Sequence, residues 1–326
     1  MCTMQSATKG IDEQTVPNAL TCELEDWFHI LDSDKVPPFD DWALLPLCAE
    51  RNVERLLQLF EDTHVRGTFF CLGWMAERLP HVVRKCQAAG HEIGSHGYAH
   101  IMARPTNRAL FKRDILRAKH ILEDITGTDV LGFRSPGFSV KDDNPWFFDV
   151  VSESGYRYDA SVFPAYHGHG GYRDICPMPH VMETANGPLV EIPMSTVDVL
   201  GHRVCFFGGG YLRLSPLPVI RWGARSLQRD GRSLIVYVHP REIDPGHPRL
   251  PLGPWRRFKC YNHLRTTWPK LKWLCEHRRF GTMAELASQV ICTSEYASQI
   301  GEPYYADIPG NGTPAGHVEA TGFRSA

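Results

Sequence analysis

Among the ten cysteines of this 326-residue chain no Cys-x-x-Cys pair occurs, which argues against zinc-ribbon and thioredoxin-type motifs. No apolar run approaches the roughly 20 residues that cross a bilayer. Met1 to Asn18 is polar, carries both charge signs and has no apolar stretch of the secretory kind. Net charge is also small: 35 Lys and Arg against 37 Asp and Glu leave −2. Neither nucleic acid nor an anionic membrane is therefore expected as the main partner. Basic runs such as Trp255-Arg256-Arg257-Phe258-Lys259 are local and read as solvated face or substrate rim. No Gly-x-Gly-x-x-Gly follows the first expected strand, and Gly208-Gly209-Gly210 lacks a following Lys-Ser/Thr. Dinucleotide and P-loop readings are poor on that account, and the glycine run reads as backbone that bends or approaches a ligand closely. Together these absences lead to the expectation of a cytoplasmic protein with reduced, buried thiols.

What is present is an alternation of strand and helix. Strand-like runs fall at 18–22, 68–72, 130–133, 189–193, 233–238 and 280–282, with a short one at Glu92-Ile93-Gly94. Helical spacing falls at 48–63, 74–89, 107–125, 145–154, 217–228, 268–277 and 283–290, while 164–188 and 244–265 read as loop. About seven such cycles imply parallel strands with right-handed crossovers, an α/β fold of barrel or doubly wound type. Residues 1–17 read as a flexible lead-in, 18–290 as a single domain and 291–326 as a disordered tail.

Chemistry-bearing residues gather at expected strand ends: Glu25 and Asp26, His96 and His100, Arg134, Asp159, and His239. In a barrel of parallel strands those ends share one rim, where catalytic groups sit. Two imidazoles four residues apart can reach one ion, although with 16 His in the chain the spacing alone is a weak sign. The bland readings are a strand-capping His239, a turn-forming Asp159 and a structural ion-pair Arg134. Cys22 and Cys71 read as core packing, and Glu191 as structural.

The motifs in order are Glu25-Asp26, Ser95-His96-Gly97-Tyr98-Ala99-His100, Phe133-Arg134-Ser135-Pro136-Gly137, Tyr158-Asp159-Ala160-Ser161 and Tyr237-Val238-His239-Pro240. With these the chain resembles, over roughly 18–290, the polysaccharide deacetylases (NodB homology domain, carbohydrate esterase family four). Gly208 to Leu214 and His239-Pro240-Arg241-Glu242 are similar to the subgroup linked to exosortase exopolysaccharide clusters. The resemblance implies a distorted (β/α) barrel that removes N-acetyl groups from amino sugars of a polysaccharide or a lipid-linked precursor.

It also implies a divalent ion, zinc by preference, on His96, His100 and a first-strand carboxylate. The ion would lower the pKa of water and polarise the amide carbonyl. By the same match His239 is the general acid, with Arg134 and Asp159 orienting base and acid, and Tyr237 and Trp27 as walls of an acetyl pocket. The family pattern has two adjacent aspartates where this chain reads Glu23-Leu24-Glu25-Asp26. The mapping adopted is Glu25 as base and Asp26 as ligand. Its rival, Glu23 as base and Glu25 as ligand, places both on one strand face. The rival functions are a related amidohydrolase on a small amide and an inactive carbohydrate-binding relative.

Overall fold

Strand β1 (Asn18–Leu24) is buried from Ala19 onward, as expected of a parallel strand covered on both faces. Its period of two sorts two surfaces. Leu20, Cys22 and Leu24 join the apolar cluster under the outer helices, whereas Ala19 belongs to a second cluster inside the curl of the sheet. Thr21 and Glu23 share the inner face with Ala19. The computed structural model describes residues 17–294 apart from Asp32, so the expected lead-in and tail lie, for 1–16 and 295–326, outside the described residues.

The other strands among the described residues are β2 (Thr68–Cys71), β3 (Glu92–Ser95), β4 (Gly132–Phe133), β5 (Tyr158–Asp159), β6 (His180–Thr184), β7 (Gly187–Glu191), β8 (Val197–Val199), β9 (His202–Val204), β10 (Ile235–Val238) and β11 (Phe280–Gly281). The main sheet has the order β10-β1-β2-β3-β4-β5-β7-β6, with β11 also on β1. All pairs are parallel except the β6–β7 hairpin. Strands β8 and β9 form a separate antiparallel hairpin. The sheet curls into an open half-barrel, a distorted (β/α) barrel with seven parallel strands along its path and β11 beside it.

Helices α1 (Ala49–Asp62), α2 (Gly73–Arg78), α3 (Pro80–Ala88), α4 (Arg108–Thr126), α5 (Phe147–Glu153), α6 (Gly209–Leu214), α7 (Leu217–Arg229), α8 (Pro254–Tyr261), α9 (Thr267–His277) and α10 (Met283–Cys292) accompany it. Helix α4 follows its local chemistry closely. The Asn107 side chain accepts from Leu110 N at 3.0 Å, and Gly127 ends the helix in the left-handed region at φ 68°. The single helix expected over 74–89 is two, because Pro80 has no N–H for the preceding turn and starts a new helix. The stretches expected as loop contain β6 and α8. Helix α8 is likewise opened by a proline, Pro254.

Candidate active site

At the end of β1 the side chains of Glu23 and Glu25 point to one side and that of Asp26 to the other. Glu25 Oε1 lies 2.8 Å from His100 Nε2 and 3.2 Å from His96 Nε2. These three donors converge within 4.8 Å of one another, all buried. Asp26, expected as the third ligand, is corrected by its placement. Its Oδ2 accepts from Cys48 N at 2.7 Å and Ala49 N at 2.9 Å, and its Oδ1 from Trp27 N at 2.8 Å. That carboxylate caps α1, where the free N–H groups of a first turn attract an anion. Alternation along the chain explains the exchange: residues 23 and 25 share a face and 26 does not.

The histidine loop is held from behind. Asp114 on α4 accepts from Tyr98 N at 2.8 Å and from Ala99 N at 3.0 Å. Gly97 has φ 76°, and a Cβ there would lie 2.7 Å from Asp114 Oδ2, so this bend needs glycine. His96 Nδ1 donates to the Arg134 carbonyl at 2.7 Å. That bond fixes the tautomer and leaves the Nε2 lone pair facing Glu25. His100 Nε2 is enclosed and has no hydrogen-bond partner of acceptable geometry, although Glu25 is near. Two imidazole lone pairs and one carboxylate converging in this way fit a divalent cation.

A second group adjoins the first. Glu23 Oε2 is 2.8 Å from His239 Nε2, and Glu23 Oε1 accepts from Arg134 Nη1 at 3.2 Å. The fully buried Arg134 also donates through Nη1 to Thr21 Oγ1 at 2.6 Å and through Nε to the Ala160 carbonyl at 3.1 Å. Its guanidinium stacks 4.4 Å over the Phe70 ring. Burial opposes ionisation of Glu23, yet the charge and hydrogen bond of His239, then His96 and Arg134, hold its pKa at about 2. Burial likewise opposes the charge on Glu25, and His100 and His239 hold it well below the ordinary carboxylate range. For His239 burial works against the charged ring, and Glu25, Glu23 and Glu242 outweigh it, raising its pKa to about 10.

Asp159, expected to orient His239, does something else. It is fully buried, accepts from Ser161 Oγ at 2.6 Å and Ser161 N at 3.1 Å, and pairs with Glu191. Burial and the neighbouring Asp159 charge push Glu191 well above its ordinary value. The partner of His239 Nδ1 is Glu242, at 3.2 Å, itself held by Arg213 Nε at 3.0 Å. Glu242 and Arg213 were not singled out individually by sequence reasoning. The signal was there in His239-Pro240-Arg241-Glu242, since three residues bring a side chain back over a single turn.

Of the expected pocket walls, Tyr237 lines the cleft, whereas Trp27 is core and donates its indole N–H to the Pro46 carbonyl at 2.9 Å. The Tyr237 ring lies against Gly208, where a Cβ would sit 1.9 Å from it, so that part of the glycine run serves packing rather than a ligand. Burial raises the Cys22 and Cys71 thiols well above their ordinary pKa, consistent with core packing. The cleft over the two carboxylates holds about 340 Å³ and is also lined by His29, Phe138, His167 and Tyr211.

Residues 38–158 match the family described as Polysaccharide deacetylase, and 160–288 match a domain of unknown function, DUF3473. A peptidoglycan deacetylase of Helicobacter pylori is 26% identical over 123 residues, 38% of this chain and 41% of the relative. A peptidoglycan-N-acetylglucosamine deacetylase of Bacillus cereus is 31% identical over 103 residues, 32% of this chain and 46% of the relative. The chain thus matches less than half the length of these relatives. A crystal structure from Mycobacterium smegmatis, described as a polysaccharide deacetylase, superposes with TM-score 0.59 at 19% identity, covering 91% of this chain and 95% of that one. A Pseudomonas aeruginosa structure of like description gives 0.58 at 18%, covering 85% and 91%. At those identities the likeness is one of fold. Over 38–158 the chain thus carries a segment that matches the polysaccharide deacetylase family, followed over 160–288 by a DUF3473 segment, within a half-barrel of the same fold.

Proposed function

We propose that this chain is a metal-dependent hydrolase that removes N-acetyl groups from amino sugars of a glycan. Glu25, His96 and His100 would hold the divalent cation. Zinc is the reading the donor set favours, since two imidazoles and one carboxylate leave positions open for water and substrate. When bound, the ion supplies Lewis-acid polarisation of the amide carbonyl and acidifies water.

The chain's own residues do the proton work. Glu23, kept ionised beside Arg134 and His239, is placed to accept the proton of the attacking water at Oε2. His239 faces a carboxylate through each ring nitrogen, Glu23 at 2.8 Å and Glu242 at 3.2 Å, so both nitrogens are donors and the ring is an imidazolium. It is thereby charged with the proton that the departing amine needs. Arg213 holds Glu242, and Glu242 holds the ring in place. Loss of water's proton to Glu23 and delivery of one from His239 balance the hydrolysis to acetate and amine.

The roles of base and ligand thus go to Glu23 and Glu25, the rival mapping of the sequence reading. One observation carries the proposal: the Glu25-His96-His100 cluster and the Glu23–His239 pair share the same buried floor. The similarity of Gly208 to Leu214 and of His239-Pro240-Arg241-Glu242 to the exosortase-linked subgroup supports an exopolysaccharide substrate, as polymer or carrier-linked precursor. Nine free cysteines among the described residues support a reducing, cytoplasmic setting. No helix among the described residues is long and apolar enough to cross a membrane. The continuous sheet supports a single domain over 18–290.

The decisive measurement is acetate release from N-acetylglucosamine oligomers by the zinc-loaded enzyme. Chelation and His96→Ala are each expected to lower kcat/KM by about 10³-fold or more, the scale of losing a Lewis acid and its bound nucleophile. Full turnover by the metal-stripped protein would instead identify a metal-independent amidohydrolase, and oligomer binding without acetate an inactive relative.

A further inference from the structure

The cleft walls around the reactive carboxylates carry Arg213, Arg241, Glu242, Arg256 and Lys259. Three carboxylates line the cleft among the described residues, and each faces a partner. Glu242 is 3.0 Å from Arg213, Glu23 faces Arg134 and His239, and Glu25 faces His96 and His100. Arg241, Arg256 and Lys259 therefore line the cleft with no ion pair to another described residue. Arg241 Nε and Nη1 and Arg256 Nε are enclosed donors without a hydrogen-bond partner. Arg256 Nη2 donates to the Leu31 carbonyl, a neutral acceptor. Lys259 Nζ lies 5.1 Å over the Trp255 ring. Enclosed guanidinium donors without an acceptor are unfavourable in the free protein and become favourable when an oxyanion meets them. The surplus is local, since the whole chain carries −2. On the same helix, α8, Trp255 and Phe258 stack at 5.9 Å and 7° and stay 68% and 45% exposed. They offer a flat apolar face beside the cations on which a sugar ring could rest.

We propose that Arg241, Arg256 and Lys259 form a subsite for an oxyanion carried by the substrate next to the N-acetylated sugar, so that the enzyme selects an anionic glycan over a neutral one. This rests on the deacetylase reading and names its substrate class. The oxyanion has two possible sources: a uronate carboxylate within the chain, or the phosphate of a carrier-linked sugar. Guanidinium forks accept either.

The test compares acetate release from a neutral N-acetylglucosamine tetramer, a tetrasaccharide alternating N-acetylglucosamine with glucuronate, and UDP-N-acetylglucosamine. At about 50 mM salt one anionic substrate is expected to exceed the neutral one about tenfold or more in kcat/KM, an advantage shrinking at about 500 mM as screening predicts. In the double variant Arg241→Gln/Arg256→Gln the ratio of anionic to neutral kcat/KM should fall at least about fivefold. Should that variant be unstable, the exposed Lys259→Gln takes its place. A preference for the uronate oligomer or for the nucleotide sugar identifies the source. No anionic preference, or a ratio the variants leave unmoved, overturns the proposal. If no substrate yields acetate, the deacetylase reading has failed. Calorimetric binding of the same three ligands then decides separately: tighter anionic binding lost in the double variant sustains the subsite, and equal binding ends it.

Discussion

Three acidic residues within four positions, Glu23, Glu25 and Asp26, have different fates, and the strand geometry assigns them. Residues 23 and 25 face the inside of the curl, while residue 26 turns toward the start of α1 and satisfies Cys48 N and Ala49 N. The two environments separate in measurement. Asp26→Ala is expected to lower unfolding stability by about 1–2 kcal/mol through loss of a cap. It should leave the purified protein with its bound metal. Glu25→Gln removes the proposed ionised ligand and should abolish metal retention with little loss of fold. Metal analysis of the two variants, beside urea denaturation, checks both. Metal loss from Asp26→Ala together with retention by Glu25→Gln would return the ligand role to Asp26. The sequence made the acidic cluster legible but left two ways of reading it, because strand alternation settles the choice only once the strand's end is known. Glu242 and Arg213 went unassigned for another reason. Arg213 acts through a buried ion pair with a residue 29 positions away, which no local pattern shows, and the place of Glu242 three residues after His239 gains its meaning through that pair.

At the scale of elements, the packing of α1, β2 and β3 encloses a histidine outside the site. His91 is buried, its ring edge-on to Phe60 and Phe69, and its Nδ1 accepts from Gly67 N at 3.1 Å. Acceptance at Nδ1 requires an unprotonated nitrogen there. Burial, with a smaller contribution from Arg66, lowers its pKa to about 4. A histidine depressed in the folded state favours folding above its unfolded pKa near 6.5, and that stability is lost as pH falls toward 4. The expected loss between pH 7 and pH 4 is about 2–3 kcal/mol. In His91→Gln, which keeps an acceptor for Gly67, the pH dependence over that window should be smaller by this amount. Guanidinium titrations at several pH values measure it, and parallel curves for the two proteins would show that the ring titrates normally. Elements with strong periodicity or clear caps, such as α4, were readable from the chain. Helix α8 and strand β6 were hidden where proline, glycine and histidine are dense, since those residues mark loops on average and here begin or flank regular structure.

For the molecule as a whole, the groups proposed to react come from stretches far apart in sequence. Glu23 and Glu25 precede residue 38, where the deacetylase match begins. His96 and His100 lie within that match, and His239 and Glu242 within the DUF3473 match. The sheet joins them, because β1 sits between β2 and β10 and pairs with both in parallel, Thr21 facing Thr68 on one side and Tyr237 on the other. Neither matched segment can keep β1 paired on both edges without the other. The floor of the cleft therefore exists only when both segments are folded together. Unfolding is accordingly expected to be a single transition, with far-UV circular dichroism and tryptophan fluorescence giving one midpoint. Zinc at about 100 times its dissociation constant should stabilise the whole by about 2.7 kcal/mol. That moves the common midpoint upward by roughly 5 °C for a chain of this size, and Glu25→Gln should erase the shift. Two separate transitions, only one of them responsive to zinc, would mean that the segments fold independently and that the shared floor does not couple them.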